Sequence, residues 1–445
     1  MLRSVRWVVD VRAGELPALG WTWLYFYAVL ASYYVIRPIR DEAGVAGGVE
    51  NLPWLFTGTL IAMTAANPAF SGLVARLPRQ QFVSWTYRFF MANLVLFFVL
   101  FEAADARQNV WVGRAFYNWT AVFNLFVPSV FWAFMTDIFT REQATRLFGV
   151  ISAAGTLGAM TGSVLTATLV RVVPPMYLLL LSAALLELAV LGVRRLSRQS
   201  ARLRDTRGGV DAEQPIGGGV LAGISHAVSS PYLIGVSLYM LLFTILSTFL
   251  YFQQAQIVDA GIADRAARTA YFAQVDLLTN VLSFVLQMFA TASALRLLGV
   301  ALTLAILPAV SVAGFAVLGL LPITAVVVWF QAIRRAGNFA IARPTREVLF
   351  TVLPREDRYK AKSFIDTFVY RTGDQVGAWA YAIMGVLGLG VVGTAWVAVP
   401  IALAWLANGL WLGRRQERMV AQAGAASQPL GTAPVAAGAP APPLE

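Results

Sequence analysis

Residues 232–257, YLIGVSLYMLLFTILSTFLYFQQAQI, run for 26 positions without a charged side chain. An α-helix rises about 1.5 Å per residue, so about 20 mostly apolar residues cross the ~30 Å hydrocarbon core of a bilayer. Comparable runs recur along the chain at 19–36, 52–75, 82–102, 116–139, 147–170, 176–193, 270–290, 297–320, 323–353, 364–387 and 390–411, giving about twelve expected spans. The composition agrees. Of 445 residues 58% are hydrophobic and 13% charged, whereas a soluble domain carries roughly 25% charged residues. The mean hydropathy is +0.67. The reading is an all-α polytopic membrane protein. There is no Cys, and His226 is the single His, so disulfides, thiolate chemistry, Cys-metal sites and His-based metal clusters or triads are excluded. No cofactor or metal is expected, and no motif points to an enzyme.

Charge placement orients the chain. The sequence has 34 basic residues against 23 acidic ones, a net +11, and all the basic residues but Lys360 and Lys362 are Arg. With the spans numbered in order, 21 basic residues fall on the N-terminus, the even-to-odd loops and the C-terminus, and seven on the opposite loops. The excess of positive charge on inward-facing loops puts both termini in the cytoplasm and requires an even number of spans. The net charge is read as topology and not as a nucleic-acid surface. No small-residue cleavage site accompanies the first apolar run, so removal of a signal peptide is not expected.

The longest polar stretch, 194–230, carries six Arg, a Gly-rich patch at 217–219 and His226. It divides the chain into a cytoplasmic N-terminus (1–18), an N-terminal six-helix bundle (19–193), a cytoplasmic linker (194–230), a C-terminal six-helix bundle (231–415) and an Ala/Pro/Gly-rich disordered tail (416–445). The halves show faint similarity at an offset of 214. Asn124 falls on Asn338, Arg141-Glu142 on Arg355-Glu356, and Leu24-Tyr25 on Leu238-Tyr239. Two bundles related by an axis along the membrane normal match this layout, which is the major facilitator plan. The usual acidic residue of the loop after span two is missing from 72–80 (GLVARLPRQ). The composition permits a monomer, because two bundles can close one cavity alone.

Six basic residues lie inside expected spans: Arg88, Arg334, Arg335, Arg343, Arg346 and Arg371. A charge at the centre of a transmembrane helix costs about 2.5–3.5 kcal/mol even on translocon scales, so each faces a bundle interior or aqueous cavity. In RRAGNFAIARPTREVLF, helical spacing puts Arg335, Asn338, Ala342 and Arg346 on one stripe, with Arg343, Arg346 and Glu347 as near neighbours. Pro344 is expected to break or kink this helix and free carbonyls to line a cavity. The next span carries Asp366, Tyr370 and Asp374 one turn apart, with Arg371 beside them. So many Arg point to a polar cavity for an anion, because the planar guanidinium binds phosphate and carboxylate bidentately. Span one runs out into SYYVIRPIRDEAG, where Arg37 and Arg40 either guard an outer vestibule or anchor the helix at the interface. Asn124 and Asn338 are expected near mid-depth, Asp276 as a proton or cation ligand, and Glu187 in packing or a structural pair. The glycines of GTLGAMTG (Gly155, Gly158, Gly162) lie within an apolar span and are read as close helix packing rather than as a nucleotide loop.

Three blocks, YYVIRPIRDEAG (33–44), VFWAFMTDIFTREQATRLFGVISAAGTLGAMTGSVL (130–165) and ARPTREVLFTVLPREDRYKAKSFIDTFVYRTGD (342–374), resemble bacterial members of the ATP/ADP antiporter family. The resemblance implies exchange of nucleoside triphosphate for diphosphate without hydrolysis, in the inner membrane of a bacterium. It singles out Arg37, Arg40, Asp41 and Glu42 in the first block and Asp137, Arg141, Glu142 and Arg146 in the second. From the third it takes Arg346, Glu347, Lys362, Asp366, Arg371 and Asp374. The family's exchangers hold phosphates with Lys inside their spans, whereas this chain has no Lys in any expected span.

The expected function is a secondary transporter working by alternating access on a small anionic solute. Arg37, Arg40, Asn124, Asn338, Arg343, Arg346 and Arg371 are its candidate substrate ligands. Asp41, Glu42, Asp276, Glu347, Asp366 and Asp374 are candidate coupling or gating acids. Asp137, Arg141, Glu142, Arg146, Arg355, Glu356 and Lys362 are candidates for a cytoplasmic gate. Two alternatives stay open: a proton-coupled symporter of another organic anion, and a lipid-handling or non-transport protein on the same fold.

Overall fold

The computed structural model describes residues 12–76, 79–139, 141–204, 230–289, 291–353, 361–362 and 364–426. Helices α1 (Leu16–Ala46), α2 (Leu52–Arg76), α3 (Arg79–Ala103), α4 (Ala106–Ile138), α5 (Arg141–Leu169) and α6 (Leu178–Arg204) make the first half. The second half consists of α7 (Pro231–Gly261), α8 (Arg265–Phe289), α9 (Thr291–Leu320), α10 (Thr324–Gly337), α11 (Arg343–Leu349), α12 (Tyr370–Val386) and α13 (Val391–Ala426). A π-helical turn, Asn338–Ala342, joins α10 to α11, and a second, Ile365–Val369, leads into α12. With α10 and α11 counted as one span, the described residues form twelve. Arg355 and Glu356, most of the linker and the end of the tail lie outside the described residues, as do the side chains of Asp137, Arg141 and Glu142.

Eight of the described helices are individually long and apolar enough to cross a membrane. Wide turns cut α10 to 14 residues and α12 to 17. Apolar side chains gather into two cores, one built almost wholly from α1–α6 and the other mainly from α7–α13. The molecule is thus two helical bundles side by side.

Span one extends ten residues past its expected end. Pro38 sits within α1, and Asp41 and Glu42 are buried on its last turns. RPIRDE is therefore part of the span and not a segment beyond it. Its carboxylates are buried and meet guanidiniums, Asp41 those of Arg37 and Arg40 and Glu42 that of the half-exposed Arg265. The tenth span, expected as one helix broken by Pro344, is distorted one turn earlier. Pro344 follows directly on the π-helical turn within continuous helical backbone, so its missing N–H falls where the hydrogen-bond ladder is already shifted.

The two bundles repeat one packing device. A Cβ on Gly158 would stand 2.2 Å from the carbonyl oxygen of Tyr27, and one on Gly162 2.5 Å from that of Ala31. In the second half a Cβ on Gly373 would stand 1.8 Å from Thr244 Oγ1 and 3.1 Å from the carbonyl oxygen of Leu241, and one on Gly377 3.0 Å from Thr248 Cβ and 3.2 Å from the carbonyl oxygen of Ile245. Leu241 and Ile245 lie 214 residues after Tyr27 and Ala31, so α5 packs on α1 as α12 packs on α7. Small residues let the helix backbones approach where side chains would hold them apart. Hydroxyls add ties: Ser32 and Ser182 meet at 2.7 Å, and Thr166 Oγ1 donates to the carbonyl of Val35 at 3.1 Å.

At the start of α1, Glu15 accepts hydrogen bonds from Gln143 at 2.9 Å and Arg146 at 3.0 Å. Burial pushes the Glu15 pKa up, but these bonds and the Arg12 N–H outweigh it and hold the carboxyl below its ordinary range. A group depressed in this way stabilises the fold above its unfolded pKa, and that stabilisation is lost as pH falls through the folded value. The thermal midpoint of the wild type should exceed that of Glu15→Gln at pH 7, and the gap should close as pH drops below ~4. A gap of undiminished size at pH 3 would count against the assignment.

Gly158→Ala should lower stability by about 1–3 kcal/mol, the usual effect of overpacking. Gly149→Ala, which meets no atom within 4 Å, is the control. Equal thermal midpoints for the two variants in detergent would refute the close α1–α5 contact.

Candidate functional site

Between the halves lies a cavity of about 340 Å³. Helical periodicity explains which residues reach it, because positions three or four apart share a face. From α1 come Tyr33, Arg37 and Arg40; from α2, Phe56, Thr59 and Met63; from α4, Thr120 and Asn124. The second half contributes Phe243, Ser247 and Tyr251 of α7, then Gln331, Arg334 and Arg335 of α10 with Asn338 of the following turn. Tyr370, Arg371, Asp374 and Gln375 of α12 complete the wall. Asn124 and Asn338, paired by the internal repeat, both line it.

Asp276 of α8 is 1% exposed and stands behind the wall. Its Oδ1 is 3.2 Å from Arg37 Nη1 of the first half and 2.7 Å from Arg335 Nη1 of the second. One carboxylate thus joins two guanidiniums from different bundles. Arg40 Nη1 lies 3.1 Å from Asp41 Oδ1, and the Arg40 guanidinium stacks over the Tyr117 ring at 4.1 Å. Arg371 donates to Asp374 Oδ2 at 3.2 Å. Arg334, 2% exposed, has no carboxylate beside it among the described residues. It donates to the carbonyl of Phe243 at 3.0 Å, to Ser247 Oγ at 2.8 Å and to Ser311 Oγ at 3.3 Å.

Further contacts close the halves together on the face where α1 ends and α2 begins, the distal face. Tyr251 donates to Asp41 Oδ1 at 3.1 Å and accepts from Tyr117 at 3.2 Å. Arg265 of α8 grips Glu42 with two bonds, 2.9 and 3.1 Å. Thr57 of α2 donates to Gln375 at 3.0 Å, and the Trp54 and Trp379 rings meet edge to face at 4.9 Å.

Several expected site residues lie elsewhere. Arg343 is exposed and is not among the cavity residues. Arg346 is buried, but against Asp366 at 3.4 Å and the Met240 sulfur at 3.0 Å, so Asp366 is also engaged away from the cavity. Glu347 is exposed and pairs with Lys362, and Glu42 pairs with Arg265. The physical reason is the wide turn at Asn338–Ala342. One extra residue in a turn rotates everything after it by about 100°, so the straight-helix stripe from Arg335 to Arg346 breaks after Asn338. Asp276, expected as a proton or cation ligand, has its Oδ1 met by two guanidiniums, while its Oδ2 is buried without a hydrogen-bond partner. Arg146 pairs with Glu15 at the opposite, proximal end. Glu187 lies 3.6 Å from Arg88, linking α6 to α3.

Tyr251, Gln331, Arg334 and Arg335 complete the site beyond the expected set. The two Arg carried a legible signal, as charges inside an apolar span. The others are polar residues on helix faces that the chain alone does not orient.

No family model matches this chain, and no curated protein matches it. Among solved structures, it is similar to a bacterial homologue of the iron transporter ferroportin in an inward-facing state. The identity is 12%, with 88% of this chain and 99% of that one covered and a TM-score of 0.59. It is also similar to a POT family transporter in complex with a thioalcohol-conjugated peptide, at 10% identity, 88% and 96% coverage and a TM-score of 0.63. An auto-inhibited POT family peptide transporter gives 12% identity, 90% and 97% coverage and a TM-score of 0.59. The chain is an all-α polytopic membrane protein with the major facilitator-like fold of these transporters.

Proposed function

We propose that the protein is a secondary transporter carrying an anionic, phosphate-bearing solute by alternating access. The observation behind this reading is the cavity between the two bundles, lined by Arg37 and Arg40 from one half and Arg334, Arg335 and Arg371 from the other. A substrate anion competing for Arg37 and Arg335 weakens their hold on Asp276, and so links occupancy to the tilt of the bundles. The rings of Tyr33, Phe56, Phe243, Tyr251 and Tyr370 beside these guanidiniums suit a solute with a flat aromatic part next to its charge. A nucleotide has that shape, in keeping with the sequence resemblance to nucleotide exchangers. Exchange is the natural mode if the empty cavity, with its Arg–Asp pairs formed, reorients slowly. A second reading is proton-coupled symport, favoured by Asp374, which lines the cavity with a single guanidinium partner.

Purified protein should be stabilised by a nucleotide or related phosphate compound, by about 2.7 kcal/mol at a hundred times its dissociation constant. Arg335→Gln should weaken that response at least tenfold. In proteoliposomes, exchange requires unlabelled substrate inside for labelled substrate to enter, whereas symport responds to a pH gradient alone. Silence of every anion tested, in both assays, would end the transport reading.

A further inference from the structure

Among the described residues, the charges around the cavity do not balance, whereas three buried or half-buried carboxylates elsewhere in the helices are each matched. Glu42 has Arg265, Asp366 has Arg346, and Glu187 has Arg88, each one to one. At the cavity, five guanidiniums (Arg37, Arg40, Arg334, Arg335 and Arg371) face three carboxylates, Asp41, Asp276 and Asp374. Asp41 answers Arg40 and Asp374 answers Arg371. Arg37 and Arg335 share Asp276, and Arg37 Nε also lies 4.0 Å from Asp41, which already answers Arg40, so these guanidiniums together still leave one positive charge over. Arg334, held by Ser247, Ser311, the Phe243 carbonyl and the Phe243 ring with no carboxylate beside it among the described residues, leaves a second.

The surplus has free donors as well as charge. Arg37 Nε and Arg335 Nη2 are buried without a hydrogen-bond partner. A buried cation without a counter-charge is costly, and the cost falls when an anion of equal and opposite charge arrives.

We infer that the cavity is matched to a dianion, with one negative charge taken by Arg334 and the other by the Arg37–Arg335 pair around Asp276. This rests on the reading of the protein as an anion transporter and narrows its substrate. A phosphate monoester, such as a nucleoside monophosphate, or a dicarboxylate meets the requirement. Free ADP and ATP, with three and four negative charges, overfill it.

The test is the thermal stabilisation of the full-length protein at pH 7.5 with EDTA, using acetate, succinate, glycerol phosphate, AMP, ADP and ATP. Wild type should respond to a dianion at concentrations at least tenfold below those needed for acetate, ADP or ATP. Comparison of succinate with the two monoesters separates the carboxylate from the phosphate source. Arg334→Gln should move the preference toward monoanions, and Asp276→Asn, which removes a negative charge, toward trianions. Because the two variants shift the order in opposite directions, loss of folding in one leaves the other decisive. A wild-type preference for ADP or ATP, or the wild-type order in whichever variants fold, would overturn the dianion assignment while leaving the transporter reading intact. No response to any anion by the folded wild type would overturn both.

Discussion

A carboxylate in a low-dielectric interior cannot be left without counter-charge, and Asp276 satisfies that constraint with guanidiniums from both bundles. Losing one partner of such a buried pair typically costs about 3–5 kcal/mol. The position of the halves is therefore tied to the electrostatics of the cavity. Nearby features fit around that tie: α8 lies against α1 and α5 as well as against α10, bringing Asp276 to the seam. Pro38 and the wide turn at Asn338–Ala342 lie in the two helices whose Arg meet it.

The distal face has a different chemistry. There, among the described residues, the halves are joined by the Glu42–Arg265 ion pair, the Tyr251 hydroxyl on the Asp41 carboxylate, further bonds through Tyr117, Thr57 and Gln375, and two indole rings. Each is individually modest, and hydroxyl and amide groups can exchange a protein partner for water at small net cost. Parting on this side is therefore a matter of rehydrating many weak contacts, whereas the Asp276 centre is a single strong one. On the proposed transport reading, a solute shifting the balance between two arrangements must interact differently with each, and the Asp276 centre is the contact it would change.

Much of this was legible in the chain. The apolar runs set the spans, and Arg334, Arg335 and Arg371 marked a polar interior, although Arg88 and Arg343, also inside expected spans, are exposed. The 214-residue offset paired Asn124 with Asn338, both of which line the cavity. The glycine contacts carry the same offset in their acceptors, Tyr27 and Ala31 against Leu241 and Ile245. The glycines themselves are displaced by one more residue, so the repeat was faint when read as identities. What was not legible follows from helix phase. RPIRDE looked too polar to be buried, because its partners Asp276, Tyr251 and Arg265 lie more than 200 residues away. Arg346 was assigned to the wrong face because nothing in NFAIA announces a π turn. Arg334 and Arg335 are adjacent, and sequence alone cannot say that one finds a carboxylate and the other only hydroxyls and a carbonyl.

The glycine contacts have a mechanical consequence. Where Gly158 and Gly162 bring α5 onto the bare backbone of α1, no flexible side chain lies between the two helices to absorb movement. The pair behaves as one stiff plank, and Gly373 and Gly377 make a second plank of α12 and α7. Arg37 is fixed to the first; Ser247 and Tyr251, and with them one wall of the Arg334 pocket, are fixed to the second. A tilt of one bundle against the other is therefore delivered undamped to the guanidinium centres, so that a rotation of a few degrees at the seam becomes a change in charge geometry rather than a rearrangement of side chains.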